Sequence, residues 1–318
     1  MSSAQPQKPV LVILGQTASG KTALALQAAR RLDAEIISAD SRQIYRELTI
    51  GSAKPPEELL HEIPHHFIDE KNIGEPFTAG EFAVEAHRRI LDIHDRGKQA
   101  IVAGGSTLYI EGLIRGLADL PPGDPEIRRK LAGELSASGS EKLFERLKTL
   151  DPVQAATLDA TKTHRLIRSL EIIAISGRTV TDLQQSRKVP DLTFITCGLS
   201  VPRSTLYERI DGRVDGMIRS GLIDEAELLY KKYYSLLNGE NAGVLKTVGY
   251  QELFDYFEGR TTLESAVTLI KQHTRNYAKR QLTFFKNRLN VNWVEASGDH
   301  AAMEALIETC CRAIATPS

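Results

Sequence analysis

The stretch GQTASGKT, Gly15 to Thr22, directly follows the apolar run VLVIL, Val10 to Leu14. It fits the phosphate-loop pattern G-x-x-x-x-G-K-[ST] at every fixed position. The run before it reads as a buried strand, and TALALQAARR, Thr22 to Arg31, reads as a helix. A strand, a glycine-bearing loop and a helix in that order present backbone N–H groups and a helix N-terminus to an anion. Lys21 adds a positive charge, and the Thr22 hydroxyl is placed to ligate magnesium. By motif alone such a loop binds ATP or another polyphosphate, without saying which. The implied fold is α/β: a P-loop NTPase-like parallel sheet flanked by helices.

AEIISADSRQIY comes next, and Glu35 to Ala39 reads as a second parallel strand. Ligands of open α/β sheets sit at the carboxyl ends of strands, which is where Asp40 falls. Asp40 can cap the next element, hold magnesium through water, or act as general base for a bound nucleophile. Spacing alone does not choose among these. The later strand in QAIVAGGSTLYI ends in Gly104-Gly105, where a typical ATPase has a magnesium-organising acid. Its absence weakens the ATPase reading. The glycines suggest either a backbone that must approach a ligand or a plain turn.

The sheet pattern stops near Gly116, and Pro121, Pro122 and Pro125 break it in ADLPPGDPEIRR. The following residues read as helices without a convincing strand, until LTFITCGLS, Leu192 to Ser200, returns to strand. The expected division is a first part of the core over 1–117, a helical insertion over 118–190, and the rest of the core with basic C-terminal helices over 191–318. The region after Ser200 reads as mainly helical.

Composition is ordinary for a globular protein, with 42% hydrophobic and 25% charged residues among 318. A net charge of −1 gives no whole-molecule attraction to nucleic acid, so any such surface must be local. The three cysteines, Cys197, Cys310 and Cys311, have neither disulfide-framework nor zinc spacing. No apolar run reaches the roughly 18 residues of a membrane span. A cytoplasmic protein that does not meet a membrane is expected. Two local clusters carry positive charge. Arg203, Arg209 and Arg213 follow the returning strand, with Arg209 and Arg213 one helical turn apart. They could neutralise a diphosphate, or lie on a solvated face paired with Glu208 and Asp211. Lys271 to Arg288 holds six Lys/Arg residues and no acid, interleaved with Tyr277, Phe284 and Phe285. It reads either as an RNA-facing stripe or as an amphipathic helix with its aromatics inside.

Taken in order, the motifs resemble one family, the tRNA dimethylallyltransferases or tRNA isopentenyltransferases. They are GQTASGKT, SADSRQIY, IGSAKP, PHHFID, GGSTLY, LPPGDPEIR, HRLIRSLEI with SGRTVTDL, LYERIDGRVDGM, TVGYQE and TRNYAKRQLTFFKNR. The resemblance implies transfer of the dimethylallyl group of dimethylallyl diphosphate to the exocyclic amine of adenine 37 in tRNA. The loop then holds a prenyl diphosphate, and no phosphoryl group moves. It implies catalytic roles for Asp40, Arg213, Thr17 and Lys21, with Asp40 accepting a proton from the target amine and Arg213 reaching the diphosphate. It places the diphosphate on Gly15, Thr17, Ala18, Ser19, Gly20, Lys21 and Thr22, with Mg2+ at Thr22. It places the anticodon stem-loop of tRNA on Asp40, Ser41, Arg42, Gln43, Ser106, Arg128, His164, Arg165, Arg168, Lys246, Gly249, Tyr250, Arg275, Lys279 and Arg280. Gln43 is the expected partner of a base neighbouring the flipped adenine. With the resemblance in hand, Lys271 to Arg288 is expected to meet RNA. Departures from the pattern are Gln16 for Pro, Ser106 for Thr, His164 for Gln and Lys246 for Arg, the last losing a planar fork. The eukaryotic C-terminal zinc finger is missing, so a bacterial type is expected, acting as a monomer. The alternative is an adenylate prenyltransferase acting on free nucleotides, which would need neither the insertion nor the basic stripe.

Overall fold

The computed structural model describes residues 8–187, 189–237 and 243–296, with Ala305, Glu308 and Arg312. Val10–Gly15 forms β1, whose six residues are all buried. A strand covered on both faces in a parallel sheet carries a continuous apolar run, which is why VLVIL is legible. Helix α1 (Lys21–Leu32) returns over one face and buries Leu24, Ala25, Leu26, Ala28 and Ala29. The strands β2 (Ala34–Ala39), β3 (His65–His66), β4 (Gln99–Gly104), β5 (Phe194–Ser200) and β6 (Asn292–Glu295) complete a sheet ordered β3-β2-β4-β1-β5-β6. Every pair is parallel. The connections include α2 (Glu57–Glu62), α3 (Ala79–Asp95) and α4 (Thr107–Arg115). Two of these strands escaped the sequence reading. β3 is only two residues long, and β6 is a four-residue edge strand in a region read as helical, exposed at both of its ends.

Gly104 pairs with Ala39 across β4 and β2. A Cβ on Gly104 would lie 2.1 Å from the Ala39 carbonyl oxygen, and one on Gly105 would lie 2.4 Å from Gln281 Nε2. The first glycine therefore answers to the close approach of its neighbouring strand. The second makes room for a helix that arrives late in the chain. Gly104→Ala forces two backbones apart and is expected to destabilise the protein by about 1–3 kcal/mol. A melting temperature equal to the wild type's would refute that packing argument.

The chain divides into two compact units, Met1–Ile114 with Asp191–Ser318, and Arg115–Pro190. In the first, α9 (Arg203–Arg219), α10 (Leu222–Tyr233), α11 (Tyr250–Phe257) and α12 (Leu263–Arg288) follow β5. Leu222, Tyr250, Leu253, Ile270 and Phe285 from these helices join Val10, Val12, Leu14 and Ile37 of the sheet in one core. Leu11, Ile13, Leu24 and Ile36 anchor the core on the other face, with Ile210 and Ala278.

The second unit is helical among its described residues: α5 (Pro125–Leu150), α6 (Pro152–Ala155), α7 (Thr163–Ser176) and α8 (Val180–Gln185). Asp124 caps α5, accepting from the N–H groups of Glu126 and Ile127 at 2.8 and 3.0 Å, with Pro125 as first helical residue. Gly139, at φ 78°, breaks α5 so that its two halves fold around Leu131, Leu143, Leu147, Leu166 and Leu170. Among the described residues no helix is long and apolar enough to cross a membrane. Cys197 is buried, while Cys310 and Cys311 lie outside the described residues.

Candidate active site

The loop after β1 turns through left-handed conformations at Ala18 (φ 61°) and Gly20 (φ 95°). Gly20 is the N-cap of α1 and supplies no side-chain acceptor, so the first N–H groups of the helix remain for an anion. Gly15 is tight against Ser19, where a Cβ would meet Oγ at 3.0 Å. Ser19 Oγ is itself buried without a hydrogen-bond partner. The Lys21 ammonium donates to the Gln16 carbonyl at 3.2 Å. One member of the expected anion cradle is engaged elsewhere: the Thr17 N–H donates to Gln281 Oε1 at 2.8 Å. The Gln281 amide also donates to the Gly105 carbonyl at 2.8 Å, joining loop, β4 end and α12. Gln16, which stands where the family pattern has Pro, adds a second tie through Nε2 to the Ala278 carbonyl at 3.0 Å.

A single cavity at the carboxyl ends of β1, β2 and β4 is lined by Thr17, Lys21, Thr22, Asp40, Gln43 and Arg213, and by Tyr277 and Gln281 of α12. Asp40 caps the turn that follows β2. Its Oδ1 accepts from the N–H groups of Arg42 and Gln43 at 2.9 and 3.4 Å, while the carboxylate faces the cavity. Ser106 fastens the end of β4 to that of β2. Its Oγ accepts from the Ser41 N–H at 2.8 Å, and its own N–H donates to the Ala39 carbonyl at 3.0 Å. Arg42 Nε donates to Thr247 Oγ1 at 2.5 Å.

The electrostatics are those of a cationic pocket with one acid. Burial, and then repulsion from Arg213, lowers the Lys21 ammonium to about 8, against a smaller opposing pull from Asp40. Burial also lowers Arg213, again partly offset by Asp40. The Tyr277 phenol is pushed up to about 12, by burial first and the Asp40 charge second. Of the early arginine cluster only Arg213 lines the cavity. Asp211, expected beside Arg209, instead binds Arg275 through both carboxylate oxygens at 2.8 Å.

The residues matched to tRNA contacts separate into groups. Lys246, Lys279 and Arg280 are exposed on the first unit. Arg275 is held by Asp211 and stands 5.6 Å from the Tyr207 ring centre. Gly249 and Tyr250 need correction as surface contacts. Gly249 is a buried N-cap with φ 105°, and Tyr250 is 0% exposed, so neither presents a surface to RNA. Within the second unit His164 and Arg165 are exposed. Arg128 and Arg168 instead converge on the buried Glu171 at 3.2 and 2.7 Å. Sequence reasoning missed Gln281. Its signal was a polar residue in register with Ala278 and Phe285, which are buried on the same helical face.

The pattern of one protein family, described as IPP transferase, matches residues 43–288. A tRNA dimethylallyltransferase of Chlorobium limicola is 68% identical, covering 99% of this chain and 100% of the relative. The crystal structure of a Bacillus halodurans tRNA isopentenylpyrophosphate transferase superposes with TM-score 0.71 at 34% identity, covering 97% of each chain. A eukaryotic dimethylallyltransferase seen acting on tRNA superposes with TM-score 0.81 at 27% identity, covering 94% of this chain and 78% of its own. With a phosphate loop, a strand-end acid and an arginine on one cavity, and relatives of this extent, the chain belongs to the tRNA dimethylallyltransferase family.

Proposed function

We propose that the cavity sets a prenyl diphosphate on the loop, Lys21 and Arg213, opposite an everted adenine whose amine meets Asp40. The activity that goes with this family is prenylation of adenine 37 in tRNA, and it is this chain's activity. The observation that carries the assignment of roles is the sharing of one cavity by Asp40, Lys21 and Arg213. An adenine amine is a weak nucleophile because its lone pair is delocalised into the ring. Asp40 accepts one amine hydrogen as the nitrogen–carbon bond forms. The allylic carbon–oxygen bond breaks at the same centre, and diphosphate departs with the bonding pair. Lys21 and Arg213 stabilise the charge that grows on it, more in the transition state than before.

The donor set suits magnesium. No group of three or more His, Cys, Asp or Glu side chains gathers for a metal among the described residues, while a hydroxyl and a carboxylate share the cavity. Mg2+ takes one or two protein oxygens and completes its shell with phosphate and water. Thr22 would hold it against the diphosphate, where it would supply further neutralisation of the leaving group. Base eversion is required because the amine is unreachable inside the anticodon-loop stack. Exposed Lys246, Lys279, Arg280, His164 and Arg165 are the groups we assign to the RNA backbone. The second unit is assigned a grip on the anticodon stem. We assign the protein to the cytoplasm, as a monomer.

Incubation with labelled dimethylallyl diphosphate, ATP, AMP and unmodified tRNA tests the reading. Label is expected in tRNA. Label in AMP would instead mark a free-nucleotide enzyme, and ATP turnover without prenyl transfer a kinase.

A further inference from the structure

Two motifs, IGSAKP and TVGYQE, contain no group that reaches the cavity by charge, and Tyr250 of the second is buried in the core. The structure joins them through Glu225 of α10. Its Oε2 accepts from the N–H groups of Thr49 and Ile50 at 3.2 and 2.8 Å. Its Oε1 accepts from the Gly51 N–H at 3.0 Å and from the Tyr250 hydroxyl at 2.6 Å. One carboxylate therefore holds three successive backbone N–H groups and a buried phenol. Gly51 rests directly on that phenol: a Cβ would lie 2.4 Å from the Tyr250 oxygen.

The next two residues turn this anchor toward the cavity. The carbonyls of Ser52 and Ala53 accept from Gln43 Nε2 at 3.3 and 3.1 Å. Ser38 Oγ donates to Gln43 Oε1 at 2.9 Å. Two carbonyl acceptors can be served only by the NH2 end of the amide, so its orientation is fixed by chemistry. Both amide hydrogens are then engaged, and the oxygen keeps one free lone pair. Gln43 offers the cavity an acceptor and no donor.

We propose that Glu225 and Tyr250 are positioning residues that act through the 49–53 turn, locking Gln43 so that it selects a nucleobase N–H donor beside the target adenine. The inference rests on the reading above that Gln43 meets such a base. An unanchored turn would let the amide rotate and accept either base edge, weakening tRNA recognition without touching the diphosphate side.

A double-mutant cycle in steady-state kinetics decides it. Gln43→Ala and Glu225→Ala are each expected to raise the KM for tRNA about tenfold, the worth of one good hydrogen bond. The KM for dimethylallyl diphosphate should stay unchanged, and the double variant should be no worse than Gln43→Ala. Additive effects, or a parallel rise in both KM values, would overturn the coupling. An unchanged tRNA KM in Gln43→Ala would overturn the underlying reading as well. If Glu225→Ala does not fold, Tyr250→Phe keeps the ring and removes one bond, and the same cycle is run with it. Anticodon stem-loops in which each base flanking adenine 37 is replaced by an analogue lacking N–H donors check the acceptor claim. One analogue should weaken the wild type as much as Gln43→Ala does and leave that variant unaffected. No such analogue would mean that Gln43 does not select a donor.

Discussion

Asp40→Asn is expected to lower kcat for prenyl transfer by about 10²–10⁴-fold, the usual contribution of a positioned general base, while tRNA affinity holds. The choice of asparagine follows from the geometry. Asp40 Oδ1 accepts from the Arg42 and Gln43 N–H groups and so shapes the turn that carries Gln43. Alanine would remove both the turn and the base, and a loss of activity would not separate them. Asparagine keeps an acceptor oxygen for the turn and removes only the charge that accepts a proton. The loss should therefore fall on kcat and not on KM for tRNA, since the missing interaction is made as charge develops on the amine. A variant whose tRNA affinity falls as far as its turnover would show Asp40 to be a structural residue. Undiminished turnover would remove it from the chemistry.

How much of this could be read in the sequence depends on what each residue answers to locally. The four central strands were legible because strands in the middle of a parallel sheet run mainly apolar, and the loop after β1 has a spacing fixed by phosphate geometry. The edge strands β3 and β6 were not, because neither is long enough to show a period. Lys21, Thr22 and Asp40 were legible as a strand-end site. Arg213 was not, beyond its charge: 173 residues separate it from Asp40 along the chain, and it reaches the cavity only because β5 returns beside β1. Resemblance supplied it. Resemblance also carried Gly249 and Tyr250 into the RNA surface, since a motif marks positions that are held fixed, whether by ligand or by packing. Tyr250 is fixed by packing, against Gly51 and Glu225. Gln281 and Gln16 depend on where α12 crosses the loop, which no local pattern encodes.

Lys21→Met should abolish efficient use of dimethylallyl diphosphate and at the same time raise the melting temperature of the ligand-free protein. The ammonium is lowered from 10.5 to about 8, chiefly by burial and next by Arg213. A cation whose folded pKa lies below its unfolded one works against the fold while it is charged. The sign follows from proton counting. Between about 8 and 10.5 the unfolded chain binds more protons than the folded one, so this group makes stability rise with pH across that window. Below about 8 the cost is present in full. Methionine retains the length of the aliphatic stem and removes the charge, so its advantage in melting temperature should be largest at neutral pH and fade toward pH 10.5. Function runs the other way. A diphosphate restores the partner that burial denies, and losing the cation should lower kcat/KM for the donor by about 10²–10³-fold. In the wild type kcat/KM, which reports the free enzyme, should fall above about pH 8 as Lys21 loses its proton. The corresponding limb in kcat should move to higher pH, because bound diphosphate holds the proton in place. A Lys21→Met protein that melts below the wild type at neutral pH would show that the ammonium carries no such cost, and the pocket's charge would then need another account.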